Sequence, residues 1–284
     1  MGVTKLLPEA LHVRVGLGTA PLAIEGRPNR HQAVKVIEAA IESGVGLIDT
    51  ADAYCIDSGR EHGYGERLVA EALRSGSARK GMVVASKVGE WRPGDGSWQL
   101  RGHPSYLRMA CERSLKNLEV ETIDLLQLHR PDPGVPIEES VGELHRLQQE
   151  GKVKHIGVSN VTASELQRAL ATAPIASVQN RLSVVDHFDP KVVELCEDHG
   201  LVLMAHSPFG GPGRANHIGR HPGLRKVAKT LGANPFQVAI AWMLRLSPTV
   251  LPIPGTTKPH RVGENMRAVE LDLMNEEVWE PLAR

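Results

Sequence analysis

Apolar and polar positions along this chain follow two periods in turn. Short runs rich in β-branched residues occur at His12–Thr19, Leu47–Ala51, Met82–Val88, Ile123–His129 and His155–Asn160. Three more lie at Ser177–Ser183, Val202–Pro208 and Val250–Thr256. Runs of this length and composition predict buried strands. The stretches between them have helical spacing: in His31–Gly44, the residues Ala33, Val36, Ile37, Ala40 and Ile41 share one face. The same spacing predicts helices over Gly65–Leu73, Tyr106–Leu118, Ile137–Gln149 and Ala163–Ala171, then Lys191–Asp198, Pro235–Leu246 and Pro259–Ala268. Gly44, Gly151, Gly200 and Gly232 stand where helices should end.

Eight strands, each followed by a helix, predict an α/β protein of the (β/α)8 barrel type, one domain over residues 1–284, near the ~250 residues typical of that fold. No linker rich in Pro, Gly and Ser divides the chain. The competing architecture is a doubly wound sheet with a glycine-rich nucleotide loop. Gly16-Leu17-Gly18 supplies only two of that motif's three glycines, and Thr19-Ala20-Pro21 follows where a helix should start. Three connections are long: Tyr54–Tyr64, Gly89–Ser105 and Phe209–Pro222. In a barrel all three would rise from the rim that carries active sites.

Composition narrows the function classes. Lys plus Arg equals Asp plus Glu at 33 each, so the basic excess of a nucleic-acid or membrane-surface binder is missing. No apolar run approaches the ~18 residues of a membrane span. Met1 to Ala20 lack a signal-peptide pattern, and Leu6 replaces the Ser or Thr of a myristoylation site after Met1-Gly2. Cys55, Cys111 and Cys196 lie far apart, which argues for a reducing compartment; a cytoplasmic protein is expected. The 13 histidines raise a metal-dependent hydrolase, but no H-x-H falls at a strand end, so no metal site is expected.

Polar residues at strand ends carry the chemistry. Asp49, Lys87 and His129 end the second, third and fourth strands; Asn160, Gln179 and His206 occur at the ends of the fifth, sixth and seventh. Converging on one rim, they form a set that packing alone does not explain. Asp49 and Lys87 could form a buried ion pair. Tyr54, five residues beyond Asp49, can arch over the rim, where a neighbouring ammonium should lower its pKa from about 10. His129 could bond the same oxygen or a substrate carbonyl. The set reads as an acid/base that protonates a carbonyl oxygen.

In this order, the stretches Leu47-Ile48-Asp49-Thr50-Ala51-Asp52-Ala53-Tyr54, Ala85-Ser86-Lys87, Asp124-Leu125-Leu126-Gln127-Leu128-His129 and Ile156-Gly157-Val158-Ser159-Asn160 resemble the aldo-keto reductase family. Val178-Gln179-Asn180, His206-Ser207-Pro208 and Ile253-Pro254-Gly255-Thr256 continue the likeness almost end to end. The resemblance implies carbonyl reduction by a nicotinamide cofactor, with Tyr54 as general acid beside Asp49, Lys87 and His129. It also implies that Ser159, Asn160 and Gln179 hold the carboxamide. The wider cofactor set expected on that likeness is Gly18, Thr19, Ala20, His206, Ser207, Pro208, Ile253, Gly255, Thr256, Lys258, Arg261, Glu264 and Asn265.

Departures from the family pattern shape further expectations. His206 stands where relatives commonly stack a Tyr on the nicotinamide ring, and Cys55 replaces the Gly after the catalytic Tyr. A short C-terminus leaves Trp91, Trp98 and Phe209 to form the substrate wall. Lys258 and Arg261, beside Thr256 and Thr257 before the last helix, suit a 2′-phosphate, although Gly255 replaces a Lys that many relatives carry there. NADPH is therefore the expected cofactor and NADH the alternative. A small carbonyl compound is the expected partner. Two other functions remain open at this point: a sugar or alcohol dehydrogenase working in the oxidative direction, and a cofactor-sensing regulatory subunit.

Overall fold

A computed structural model describes residues 14–74, 81–211, 213–272 and 274–282. Eight parallel strands pair in chain order: β1 (Leu17–Gly18), β2 (Leu47–Asp49), β3 (Val83–Val88), β4 (Ile123–Leu128), β5 (Val153–Ser159), β6 (Ile175–Arg181), β7 (Val202–His206) and β8 (Val250–Pro252). Gly16 N donates to Pro252 O at 2.9 Å and Gly18 N to Pro254 O at 3.3 Å, so β1 meets β8 and the sheet closes. The fold is a (β/α)8 barrel in one domain. The doubly wound alternative is excluded, because its sheet stays open.

The principal outer helices are α1 (Arg30–Glu42), α2 (Tyr64–Leu73), α3 (Pro104–Leu118), α4 (Ile137–Gln149), α5 (Ala163–Thr172), α6 (Pro190–His199), α7 (Pro235–Leu246) and α8 (His260–Met266). Their ends follow from local chemistry. Thr162 with Glu165 and Asn234 with Gln237 make capping boxes at the starts of α5 and α7. Gly200, at φ 64°, ends α6 in the left-handed conformation.

Two glycines are dictated by close approach. A Cβ on Gly18 would lie 2.8 Å from Ile253 O across the closing seam. One on Gly157 would lie 2.2 Å from Ser177 Oγ inside the barrel. The Gly16-Leu17-Gly18 run therefore serves barrel closure. The lower interior is apolar, with Leu47, Val83, Ala85, Leu125, Val202, Met204 and Leu251 in one cluster. Above it the filling turns polar, with Asp49, Lys87, Gln127, Ser177 and Gln179 all buried.

Several elements differ from the expectation. Of the first predicted run, His12 and Val13 lie outside the described residues, as does the Met1-Gly2 start, and only Leu17–Gly18 pairs as strand. A one-turn helix, Ala20–Ala23, does follow Thr19, with proline in its first turn. β8 ends at Pro252 because Pro252 and Pro254 have no N–H to extend a ladder. α8 is shorter than Pro259–Ala268, with Pro259 at its N-cap and a 3-10 turn at Arg267–Glu270. The three long connections carry structure: a helical turn at Ser58–Glu61, an antiparallel hairpin of Glu90–Trp91 with Gln99–Leu100, and a helix at Ala215–Arg220. A further helix, Pro222–Leu231, buries Leu224, Val227 and Ala228 and ends at Gly232. No helix among the described residues is long and apolar enough to cross a membrane.

Candidate active site

The polar layer at the top of the barrel continues into a cleft of about 950 Å³, a size suited to large ligands. At its floor Lys87 Nζ donates to Asp49 Oδ2 at 2.7 Å, to Thr50 O at 2.8 Å and to Tyr54 Oη at 3.0 Å. Three acceptors match the three donors of an ammonium, whereas a neutral amine has only two. Burial opposes the Lys87 charge, but Asp49 and Tyr54 outweigh it and hold its pKa above the ordinary value. Asp49 is lifted by burial against the pull of Lys87 and Gln179.

Tyr54 lines the cleft and is 9% exposed. Its oxygen accepts from Lys87, so its own proton remains for a ligand. Here the structure corrects one expectation: burial raises the Tyr54 pKa, and Lys87 opposes that rise without reversing it. His129 adjoins Tyr54 with ring centroids 5.7 Å apart. Burial holds the imidazole well below its ordinary pKa, with the Lys87 and Arg130 charges adding to it, which favours the neutral ring. Asp49, Tyr54, Lys87 and His129 are thus brought together as expected.

The residues expected around the cofactor divide. Gly18, Ala20, Ser159, Asn160, Gln179, His206, Ser207, Pro208, Ile253 and Gly255 line the cleft, together with Trp98 and Phe209. Gln179 Nε2 donates to Asp49 Oδ1 at 2.7 Å and Gln127 Oε1 at 2.9 Å, which turns its oxygen toward the cleft. Asn160 is held internally. Its Nδ2 donates to His129 O, and its Oδ1 meets His206 Nε2 at 3.1 Å. Asn160 and Ser207 adopt φ of 57° and 54°, sharp turns that direct both side chains back over the barrel. His206 Nδ1 meets Ser207 Oγ at 3.0 Å, so both ring nitrogens are engaged in the ring plane and a flat face remains. Burial lowers its pKa to about 3.

Thr19, Thr256, Lys258, Arg261, Glu264 and Asn265 stand behind or beyond the cleft lining. Thr19 Oγ1 donates to Asp49 O and Thr256 Oγ1 accepts from Lys258 N, while Lys258 and Arg261 are exposed on the segment after Thr257. Trp91 is not brought to the cleft. It packs under the Arg101 guanidinium at 4.3 Å and beside His62. Trp98, its neighbour across the hairpin, sits edge-on to Tyr54 and His129. Neighbouring residues of a strand face opposite ways, so the near arm turns Glu90 to the cleft and Trp91 away from it, while Trp98 and Leu100 of the far arm line the cleft.

Sequence reasoning missed Glu90, Arg92 and Arg130. Glu90 is buried, with Oε2 3.2 Å from His129 Nδ1 and Oε1 accepting from Arg130 Nε at 3.3 Å. Arg92 is buried under Trp98 at 4.4 Å and pairs with Glu25 from the other side of the mouth. A signal existed in Glu90, a charged residue three positions after Lys87 in a Val-Gly context. The three cysteines are buried and free, and burial pushes the Cys55 thiol up, away from reactivity. No cluster of potential metal ligands occurs among the described residues.

A buried lysine, tyrosine and carboxylate thus stand together at the mouth of a (β/α)8 barrel, at the floor of a large cleft. The model of the aldo/keto reductase family matches residues 14–282. The chain is 35% identical over 269 residues to an uncharacterized oxidoreductase of Schizosaccharomyces pombe, covering 93% of this chain and 83% of that protein. It is 34% identical to a probable aldo-keto reductase of Glycine max, over 87% of this chain and 77% of the relative. Among solved structures it is similar to an aldo/keto reductase from Klebsiella pneumoniae in complex with NADP and acetate. That match has a TM-score of 0.79 and 28% identity, over 94% of this chain and 89% of the other. A glycerol dehydrogenase from Gluconobacter oxydans gives a TM-score of 0.78 at 27% identity, over 95% and 91%. The chain belongs to the aldo/keto reductase family and is by class an oxidoreductase.

Proposed function

We propose that this protein reduces an aldehyde or ketone to the alcohol at the expense of NADPH, with Tyr54 as the proton donor. One observation carries the reading: Lys87 spends all three donors on Asp49, Thr50 and Tyr54, so the Tyr54 hydroxyl can give its own proton only into the cleft. The ammonium beside the phenol stabilises the phenolate left behind. Asp49 fixes the lysine, and Gln179 fixes Asp49.

A nicotinamide cofactor suits the residues present, and when bound it supplies the hydride. Gln179 and Ser159 line the cleft, and an amide oxygen and a hydroxyl are groups that can receive the donors of a carboxamide. The His206 ring face offers a stacking surface. The Klebsiella pneumoniae relative holds NADP, and the exposed Lys258 and Arg261 supply the positive charge that a 2′-phosphate requires.

The test is a panel of carbonyl compounds followed at the absorbance of the reduced cofactor. Tyr54→Phe should lower turnover by at least ~10²-fold while NADPH binding persists. Wild-type turnover in that variant, in a step shown to be limited by chemistry, would overturn the assignment.

A further inference from the structure

Trp98 lines the cleft beside Tyr54, yet it is one of the exposed large apolar side chains. Its ring meets Tyr54 and His129 edge-on, with centroids 6.5 and 5.9 Å away, and its face rests on the Arg92 guanidinium at 4.4 Å. A flat cation against an aromatic face makes a favourable platform.

That platform hangs on a single group. The Arg92 side chain is 1% exposed, and its Nε and Nη1 have no hydrogen-bond partner among the described residues. Nη2 is engaged by Glu25. The backbone beneath is firm, because Arg92 N donates to Ser58 Oγ at 3.0 Å and Ser58 N donates to Arg92 O at 2.7 Å. A buried guanidinium that loses its one acceptor must turn toward water to satisfy its N–H groups. Glu25 is 51% exposed, and the Arg92 hydrogen bond holds its carboxyl below the usual range, so the contact is an ion pair at the edge of solvent.

Topology gives the pair its leverage. Glu25 lies beyond β1 and Arg92 beyond β3, and between those strands stands β2, whose connection carries Tyr54. Arg27, two residues after Glu25, grips Glu61 through two hydrogen bonds of 2.9 Å and anchors the β1 connection. The Glu25–Arg92 link therefore ties together the two connections that flank β2, and Trp98 rides on it.

We propose that the Glu25–Arg92 ion pair is a strap that seats Trp98 beside Tyr54 and so limits how bulky a carbonyl compound reaches the proton donor. The size limit rests on the carbonyl-reduction reading above; the strap does not. Glu25 and Arg92 act through Trp98 and are positioning residues.

Fluorine spectra of protein labelled with 5-fluorotryptophan read the strap directly. The chain has 4 tryptophans, and Trp98→Phe identifies the Trp98 signal. Glu25 is half exposed, so Glu25→Ala leaves the core untouched. In that variant the Trp98 signal should shift toward that of an indole in water, with a larger solvent isotope shift. Glu25→Gln, which keeps an acceptor but not the charge, should fall between. Trp91 shares the hairpin but rests on Arg101, so its signal should stay in place. In parallel, kcat/KM for naphthaldehyde relative to propanal should rise at least ~10-fold in Glu25→Ala, the lower range for space worth one methylene. An unmoved Trp98 signal overturns the strap, as does a Trp91 signal that moves with it, the mark of a hairpin that has come apart. An unchanged substrate ratio overturns the size limit. The spectra need no turnover, so a wild type that reduces no carbonyl compound would defeat the reduction reading and leave the strap to be decided by the spectra.

Discussion

Splitting the Asp49–Lys87 pair should cost more than deleting it. Their side chains are 2% and 1% exposed, and the charged atoms are 2.7 Å apart. At an effective dielectric constant of ~20 the attraction is about 6 kcal/mol. That attraction offsets the desolvation of both ions. Lys87→Met leaves a buried carboxylate with only Gln179 beside it; Asp49→Asn leaves a buried ammonium without a counter-charge. Each single variant should lose ~3–5 kcal/mol of unfolding free energy. In a chain of this size that lowers Tm by ~6–20 °C. The double variant removes both charges at once and should fall short of the summed losses by at least ~2 kcal/mol. Urea unfolding followed by circular dichroism on all four proteins measures this. Losses that add within ~0.5 kcal/mol would refute the ion pair as the core of the site.

Gly18→Ala should destabilise the barrel by ~1–3 kcal/mol, because the new Cβ would press on the Ile253 carbonyl; an unchanged urea midpoint would contradict the closed seam. Burial depresses His129 and His206 in the folded state, while the unfolded chain protonates both near ~6.5. The unfolded state therefore binds more protons below that pH, so stability should climb with pH from ~3 to ~6.5 and His206→Asn should flatten part of the climb. The Lys258→Ala, Arg261→Ala double variant should lose affinity for NADPH but keep it for NADH; titration calorimetry showing equal losses would remove these residues from 2′-phosphate recognition.

The site was legible wherever a strand end fixes the side chain. Asp49, Lys87, Gln179 and His206 sit within strands whose period leaves one direction for the side chain, and His129 and Asn160 stand one position beyond a strand. Where the chain leaves that frame, spacing loses its meaning. Trp91 and Trp98 read alike in the Gly89–Ser105 connection, but an unseen hairpin puts one against Arg101 and the other over Tyr54. Glu90 belongs to the same case, since its contact with His129 depends on how the hairpin sits on β4. The Tyr54 pKa shows a different limit. The Lys87 contact was correctly expected, but the opposing effect of burial depends on packing that no local motif encodes.

The barrel is joined unevenly around its circumference. β4 and β5 share a long ladder, whereas β1 contributes two residues to its sheet and faces prolines at 252 and 254 that cannot donate. Amide exchange at Gly16 and Gly18, the amides that bridge this seam, should therefore be faster than along the β4–β5 ladder, through a local parting that leaves the rest of the cylinder intact. Gly18, Ala20 and Pro21 line the cleft from one side of this joint, and Ile253, Gly255 and Thr257 from the other. Any molecule that fills the cleft spans both lips, so its binding energy acts as a clasp on the weakest joint of the cylinder.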